Sequence, residues 1–204
     1  ALFISLSTLA QNEIKVACIG NSITYGHGIQ DRDHNSYPAI LGRLLGEGYI
    51  VKNFGVSGCV LLNHGDFPYM HEQAYQDALT FNPDVAIIKL GTNDSKPQNW
   101  KYKNEYQNDL IELIESFQKL DSHCTIYLCS PIPATSANWN INNDIIVNEI
   151  IPIIRKVARK KHIKLIDLYK IYQPYTHLLQ DGIHPTEDGT AIIAYEISKV
   201  IKSK

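Results

Sequence analysis

The 204-residue chain predicts an α/β fold: a single three-layer domain in which a five-stranded parallel sheet carries helices on both faces. Three observations lead there. Short runs rich in Val and Ile alternate with longer amphipathic segments, the order expected of a parallel sheet. Several of the short runs are apolar at consecutive positions, which suits strands covered on both sides. The length supports one domain with a sizeable core and falls short of two ordinary ones. The hydrophobic share of 44% and charged share of 20% lie in the globular range.

Taken in order, the first ten residues, "ALFISLSTLA", are apolar and give way to polar "QNE". They read as the remnant of a secretory signal peptide, with Thr8 and Ala10 flanking a cleavage site after Ala10. The domain then runs over residues 11–204. The alternative is an N-terminal segment packed on the domain. Residues 1–10 are too few to span a bilayer as a helix, and no other stretch is apolar for long enough. No integral membrane segment is therefore expected, and the leader-like start points to a secreted or periplasmic protein.

Strands are predicted at "IKVACI" (14–19), "YIVKNF" (49–54), "DVAIIKL" (84–90), "TIYLCS" (125–130) and "IKLIDL" (163–168), each bounded by turn formers. A helix over 36–46 starts at "SYP", with Ser36 placed to cap it. Another covers 70–80. Over 101–120, Leu110, Ile111, Leu113, Ile114, Phe117 and Leu120 recur at helical spacing. Residues 141–161 are helical apart from Pro152, which should kink or split them. The last helix follows "HPTED", where Thr186 can cap and Glu187 and Asp188 suit the first turn. Right-handed crossovers leave few topologies for this order. The flavodoxin-like strand order 2-1-3-4-5 is the one expected, with a ligand crevice beyond the carboxyl ends of the strands.

Charge and cysteine content narrow the function. The net charge of −2 argues against a nucleic-acid partner. The basic run "RKVARKKHIK" (155–164) reads as the solvated end of a helix. Four cysteines occur without a CxxC spacing, so zinc and dithiol chemistry lose their usual signature. Cys18 and Cys129 read as small buried hydrophobes. Cys124 and Cys129 share one extended run, roughly 17 Å apart and too far to bridge, and no structural disulfide is expected. His27 and His34, or His64 and His71, lack the usual metal-ligand spacing. Neither a metal nor a cofactor is expected.

The chemistry is carried by "GNSITYGHG" (20–28), directly behind the first strand. The phosphate-loop pattern fails, because Gly20 to Gly26 is one residue too long and His27 stands where Lys is needed. The dinucleotide pattern lacks its third glycine. The strained elbow G-x-S-x-G fails because Thr24 occupies the second glycine position. A flavodoxin-type cofactor binder would need a phosphate nest here, and the spacing opposes it. Ser22 alone reads as a turn or cap residue.

Other strand ends change its standing. The second strand leads into "NFGVSG", with Gly55 and Gly58; the third ends in "GTND", with Asn93; the loop before the last helix is "DGIHPT", with Asp181 and His184. Acyl transfer needs this set: a hydroxyl, an imidazole base, a carboxylate to orient it, and donors for an oxyanion. The N–H groups of Ser22 and Gly58 and the amide of Asn93 are the candidate donors. Asp94 could be the acid of a dyad, but it reads more simply as a brace between loops.

The blocks "GNSIT", "NFGVSG", "GTND" and "DGIHPT" resemble those of the SGNH (GDSL-type) hydrolases, over residues 16 to about 200. The resemblance implies Ser22 as nucleophile, Asp181 and His184 as the rest of a triad, and Ser22, Gly58 and Asn93 as the oxyanion hole. Asn21 departs from the commoner Asp of the first block, outside the triad. The branch it implies is the carbohydrate acetylesterases. These remove small acyl groups, chiefly acetyl, from O-esters on sugars such as sialic acid or xylan-type sugars. Two alternatives stand beside it: a lysophospholipase or thioesterase of the same family, and a carbohydrate-binding protein whose site has been retired. Tyr25, Trp100 and Trp139 are candidate sugar platforms, with helix-entry packing as the other reading of both tryptophans.

Overall fold

The computed structural model describes residues 13–203, and the leader-like residues 1–10 lie outside them. Five strands, β1 (Ile14–Gly20), β2 (Tyr49–Gly55), β3 (Val85–Lys89), β4 (Thr125–Cys129) and β5 (Lys164–Ile166), form one sheet in the order β2-β1-β3-β4-β5. Every pairing is parallel. This is the predicted topology.

The consecutive apolar runs serve two cores at once, because successive side chains of a strand point to opposite faces. Ala17, Ile19, Ala86, Ile88, Ile126 and Leu128 face one layer. Val16, Cys18, Val85, Ile87, Tyr127 and Cys129 face the other. In chain order the helices are α1 (Ser22–Tyr25), α2 (Arg32–Asn35), α3 (Tyr37–Leu45), α4 (Gln73–Phe81), α5 (Pro97–Trp100), α6 (Tyr106–Gln118), α7 (Asn143–Ile145), α8 (Ile151–Lys160), α9 (Leu168–Tyr172) and α10 (Glu187–Lys202). α4, α6 and α8 cover the first face, through residues such as Ala78, Leu113, Phe117 and Val157. α3 and α10 cover the second, through Tyr37, Leu41, Ile193 and Ile197.

Several boundaries differ from expectation. The helix expected over 101–120 begins only at Tyr106, since residues 101–105 are turns that follow the extra helix α5. The segment 70–80 opens with a single 3-10 turn, Tyr69–His71, before α4 starts. Pro152 splits the expected helix: it lies in the first turn of α8, directly behind a π-helical turn over Ile146–Ile150 that separates α8 from α7. Ser36 holds the N-cap position of α3, but its hydroxyl makes no capping bond. Thr186 does cap α10, accepting from Gly189 N at 3.3 Å. The basic run closes α8 as expected, with Arg155 paired to Asp167 at 2.7 Å and Lys161 to Glu115. Among the described residues no helix is long and apolar enough to cross a membrane.

Four short pieces crowd the carboxyl edge of the sheet. β1 runs into α1, β2 into the loop 56–62, and β3 into a 3-10 turn, Asn93–Ser95, and then α5. The approach of β2 to α1 is close enough to demand glycine: a Cβ on Gly55 would lie 2.3 Å from the Tyr25 backbone nitrogen.

Candidate active site

Ser22 is presented by the first turn after β1. The Asn21 side chain caps α1, accepting from Ile23 N at 3.2 Å, which sets the residue that follows it on the first helical position. The Ser22 hydroxyl lies 2.9 Å from His184 Nε2. On the other side of the ring, His184 Nδ1 lies 2.7 Å from Asp181 Oδ2. Since the carboxylate accepts, Nδ1 carries the proton and Nε2 is left as the acceptor for the Ser22 hydroxyl.

The loop that carries His184 is tied down before α10 begins. Asp181 Oδ1 accepts from Ile183 N at 2.8 Å and from His184 N at 2.7 Å. Gln180 N donates to His184 O at 2.9 Å. Burial pushes the Asp181 carboxyl up, but the hydrogen bonds from His184 and Ile183 outweigh it and hold it below the usual carboxylate range. For His184 burial dominates. It pulls the imidazole below its ordinary value, His27 and Lys89 add to the effect, and the Asp181 carboxylate opposes it.

Two more strand ends converge on the same point. Gly58 has φ +89°, a left-handed conformation that suits glycine, and its N–H donates to no described residue. Asn93 Nδ2 donates one hydrogen to Cys59 O at 3.0 Å, leaving its second free. The next residue, Asp94, is fully buried and fastens the loop after β2 to the turn after β3: its Oδ1 accepts from Leu61 N at 2.8 Å and Leu62 N at 2.9 Å. Burial pushes this carboxyl up to about 7, against the pull of those backbone donors. Its second oxygen has no partner. Asp94 thus takes the bracing position rather than that of a dyad acid.

A cavity of about 140 Å³ opens beside Ser22 and His184, walled also by Gly58, Asn93 and Trp139. Trp139 stands edge-on to His184, ring centroids 5.3 Å apart, and is 53% exposed. Its backbone is left-handed (φ 54°), as is that of Asn140 (φ 61°), a conformation costly for non-glycine residues and found where a site holds a side chain in place.

The other two aromatic candidates lie elsewhere. Tyr25 lies against the Arg32 guanidinium at 4.0 Å, in a separate groove with Lys52 and Asn53. Trp100 is core: it is 6% exposed, its indole donates to Glu149 Oε2 at 3.0 Å, and its ring meets Tyr106. Helix-entry packing is therefore what Trp100 does. Three cavity residues went unnamed at the sequence level, Ser57, Lys96 and Ile141, and His27, whose ring lies 4.5 Å from that of His184, was weighed only as a metal ligand and against the phosphate-loop pattern. Ser57, Lys96 and His27 had a signal in their neighbours, since Ser57 adjoins Gly58, Lys96 follows "GTNDS", and His27 lies in the glycine turn. Among the described residues no group of three or more His, Cys, Asp or Glu side chains is placed to hold a metal ion.

Comparison with known proteins gives the chain a family. Residues 18–192 match the model of the GDSL-like lipase/acylhydrolase family. An acetylxylan esterase of Xylanibacter ruminicola is 45% identical over 97% of this chain and 45% of its own length. The chain thus spans about half the length of the curated relative it matches. Among solved structures, a carbohydrate acetylesterase from Sinorhizobium meliloti superposes with a TM-score of 0.77 at 16% identity, covering 94% of this chain and 99% of that one. An acetyl xylan esterase superposes with a TM-score of 0.74 at 22% identity, covering 92% and 100%. Such identities speak for the fold, while the family match over most of the chain speaks for descent. The chain belongs to the GDSL-like lipase/acylhydrolase family.

Proposed function

We propose that this protein is a serine esterase that removes small acyl groups, chiefly acetyl, from O-esters on carbohydrates. The observation that carries the proposal is the unbroken hydrogen-bond chain from Ser22 Oγ through His184 to Asp181, at 2.9 and 2.7 Å. In this reading His184 Nε2 takes the Ser22 proton as Oγ attacks the ester carbonyl. The tetrahedral oxyanion is received by the N–H groups of Ser22 and Gly58 and the free amide hydrogen of Asn93. The Ser22 N–H is available because the first turn of a helix has no intrahelical acceptor. The imidazolium, steadied by Asp181, then protonates the departing sugar oxygen. Water, deprotonated by the same nitrogen, cleaves the acyl-enzyme, releasing the acid and restoring the Ser22 hydroxyl.

Substrate size follows from the cavity. Its volume of about 140 Å³ suits an acetyl group better than a long acyl chain, which favours the acetylesterase reading over a lysophospholipase or thioesterase. The related acetylxylan esterase supports a xylan-type acceptor, and Trp139 offers an aromatic edge to a sugar ring. Export is inferred from the apolar start "ALFISLSTLA", and N-terminal sequencing of the mature protein tests it: a start at Gln11 is expected, and retention of residues 1–10 contradicts it.

The test of function is acetate release from acetylated xylo-oligosaccharides, run beside p-nitrophenyl esters of increasing chain length. Rates should fall as the acyl chain grows, and Ser22→Ala should abolish turnover while circular dichroism stays that of the wild type. Preference for long chains would return the lysophospholipase reading. A wild type inert towards every ester would leave the retired sugar-binding protein.

A further inference from the structure

We propose that Ser136 and Asn138 are positioning residues for the reaction: through the main chain of Asp181 they hold the carboxylate that orients His184. The inference rests on the esterase reading above and extends its machinery to side chains that touch no substrate. Ser136 Oγ donates to Asp181 O at 2.8 Å, and Asn138 Nδ2 donates to the same oxygen at 2.9 Å. A carbonyl oxygen has two lone pairs, and here two side chains of a distant segment take both. The next carbonyl is held as well, since Thr135 N donates to Gly182 O at 2.8 Å. Residues 135–138 therefore lie along the loop of Asp181 as a strap.

The approach is close. Gly182 has φ +82°, and a Cβ on it would lie 2.6 Å from Ser136 Cβ, a clash that glycine avoids. The strap is anchored on either side. Ala134 and Ile141 are buried in the same core layer as Ile183, the residue between Gly182 and His184. Ala134 N donates to Asn143 Oδ1 and Asn142 N to Ser95 Oγ, both at 3.0 Å. Neither Ser136 nor Asn138 lines the cavity beside Ser22. Their polar atoms are directed at Asp181 instead.

The geometry of the relay explains why such a restraint is needed. The Asp181 carboxylate accepts from Ile183 N and His184 N through Oδ1 and meets His184 Nδ1 through Oδ2. Those bonds join residues two and three positions apart, and none of them reaches another part of the fold. Asp181 is only partly buried, so packing does not fix it either. The two bonds to its carbonyl supply the link from the loop to the body of the domain. The carboxylate in turn sets the tautomer of His184 and steadies the imidazolium. A shift of about 1 Å in a group of this kind costs up to ~10²-fold in rate.

The test uses p-nitrophenyl acetate, which brings no sugar to Trp139 on the same segment. In the double variant Ser136→Ala with Asn138→Ala, kcat should fall by about tenfold or more while KM stays within about twofold. The acid limb should move too. The Asp181 carboxylate holds the His184 imidazole up, against burial and the charges of His27 and Lys89. Loosening the carboxylate lets the imidazole fall further, so the limb of kcat/KM should shift to lower pH. Asn138→Ala alone should show both changes at reduced size. Its side chain is exposed, so this variant keeps the core and decides the matter even where the double variant fails to fold. A variant that melts earlier yet keeps wild-type kcat and acid limb overturns the proposal, because the strap would then serve stability alone. A fall in kcat with the limb unmoved overturns it too, since the carboxylate would have kept its place. So does a raised KM at constant kcat, which would put these side chains on the substrate. With an active wild type, each of these results sinks this inference alone; a wild type that cleaves no acetyl ester sinks the esterase reading with it.

Discussion

In the proposed reaction His184 is the residue on which the pH profile turns. Its imidazole is held below the ordinary histidine value, with burial as the main cause. A base held low stays unprotonated, and therefore competent, further into acid. The acid limb of kcat/KM is expected to bend below pH 6.5, the ordinary value; a limb centred above it would contradict the assignment of base. Asn93 gives a second measurement at this scale. Asn93→Ala removes one oxyanion donor and should lower kcat by ~10²-fold or more, whereas an effect confined to KM would reassign Asn93 to substrate binding. Ser22, Asp181 and His184 were legible as candidates because Ser22 sits in a short polar block at a strand end and Asp181 and His184 share one in the loop before the last helix. Trp100 stood between platform and packing because position after a strand does not distinguish a ring lining a cavity from one filling the core beneath it. Lys96 and Ser57 were hidden for another reason: a lysine or serine in a loop is ordinary, and only the fold shows that these two line the cavity.

At the scale of elements, the last residue of β3 and the turn after it hold two fully buried charged groups, Lys89 and Asp94. Asp94 hangs the loop after β2 from the turn after β3 through two backbone donors. Asp94→Ala should cost about 1–3 kcal/mol, the penalty for leaving buried donors unsatisfied, and should lower kcat more than it alters KM by displacing Gly58. Asp94→Asn keeps a carbonyl acceptor and should restore most of both; equal damage from the two variants would show that charge, not hydrogen bonding, is what matters. Lys89, the last residue of β3, is fully buried, and its ammonium has no partner. Burial lowers it from 10.5 to about 8. The unfolded chain therefore binds that proton more tightly, and the folded state bears the cost of the charge at every pH below about 8. Lys89→Met should raise stability by ~1–3 kcal/mol at pH 7, a gain that fades between pH 8 and 10.5, and thermal melts at both ends of that window check it. Neither feature was legible in "DVAIIKL" or "GTND", since burial of a charge depends on what other segments bring over it. Helix boundaries behaved similarly. The apolar period located α6, but α1 and α5, each one turn long, are too short to show a period.

For the molecule as a whole, strand order was legible because alternation and handedness leave so few ways to lay the chain out, and each apolar run found a layer on both sides. The unmatched oxygen of Asp94 now bears on how the protein weathers acid. Between pH 7 and 4 the folded chain binds a proton at Asp94 that the unfolded chain does not take up until about 3.8, so acidification through this span favours the native form. His184 acts in the opposite sense as the pH falls through 6.5. A proton arriving at the vacant oxygen does not disturb the lone pairs that hold Leu61 and Leu62. The protein is thus expected to fall dormant at the acid pH where His184 becomes protonated, with its architecture whole, and to wake on neutralisation. Recovery of full turnover after an hour at that pH, with the aromatic circular dichroism unchanged meanwhile, is the result that agrees; permanent loss does not.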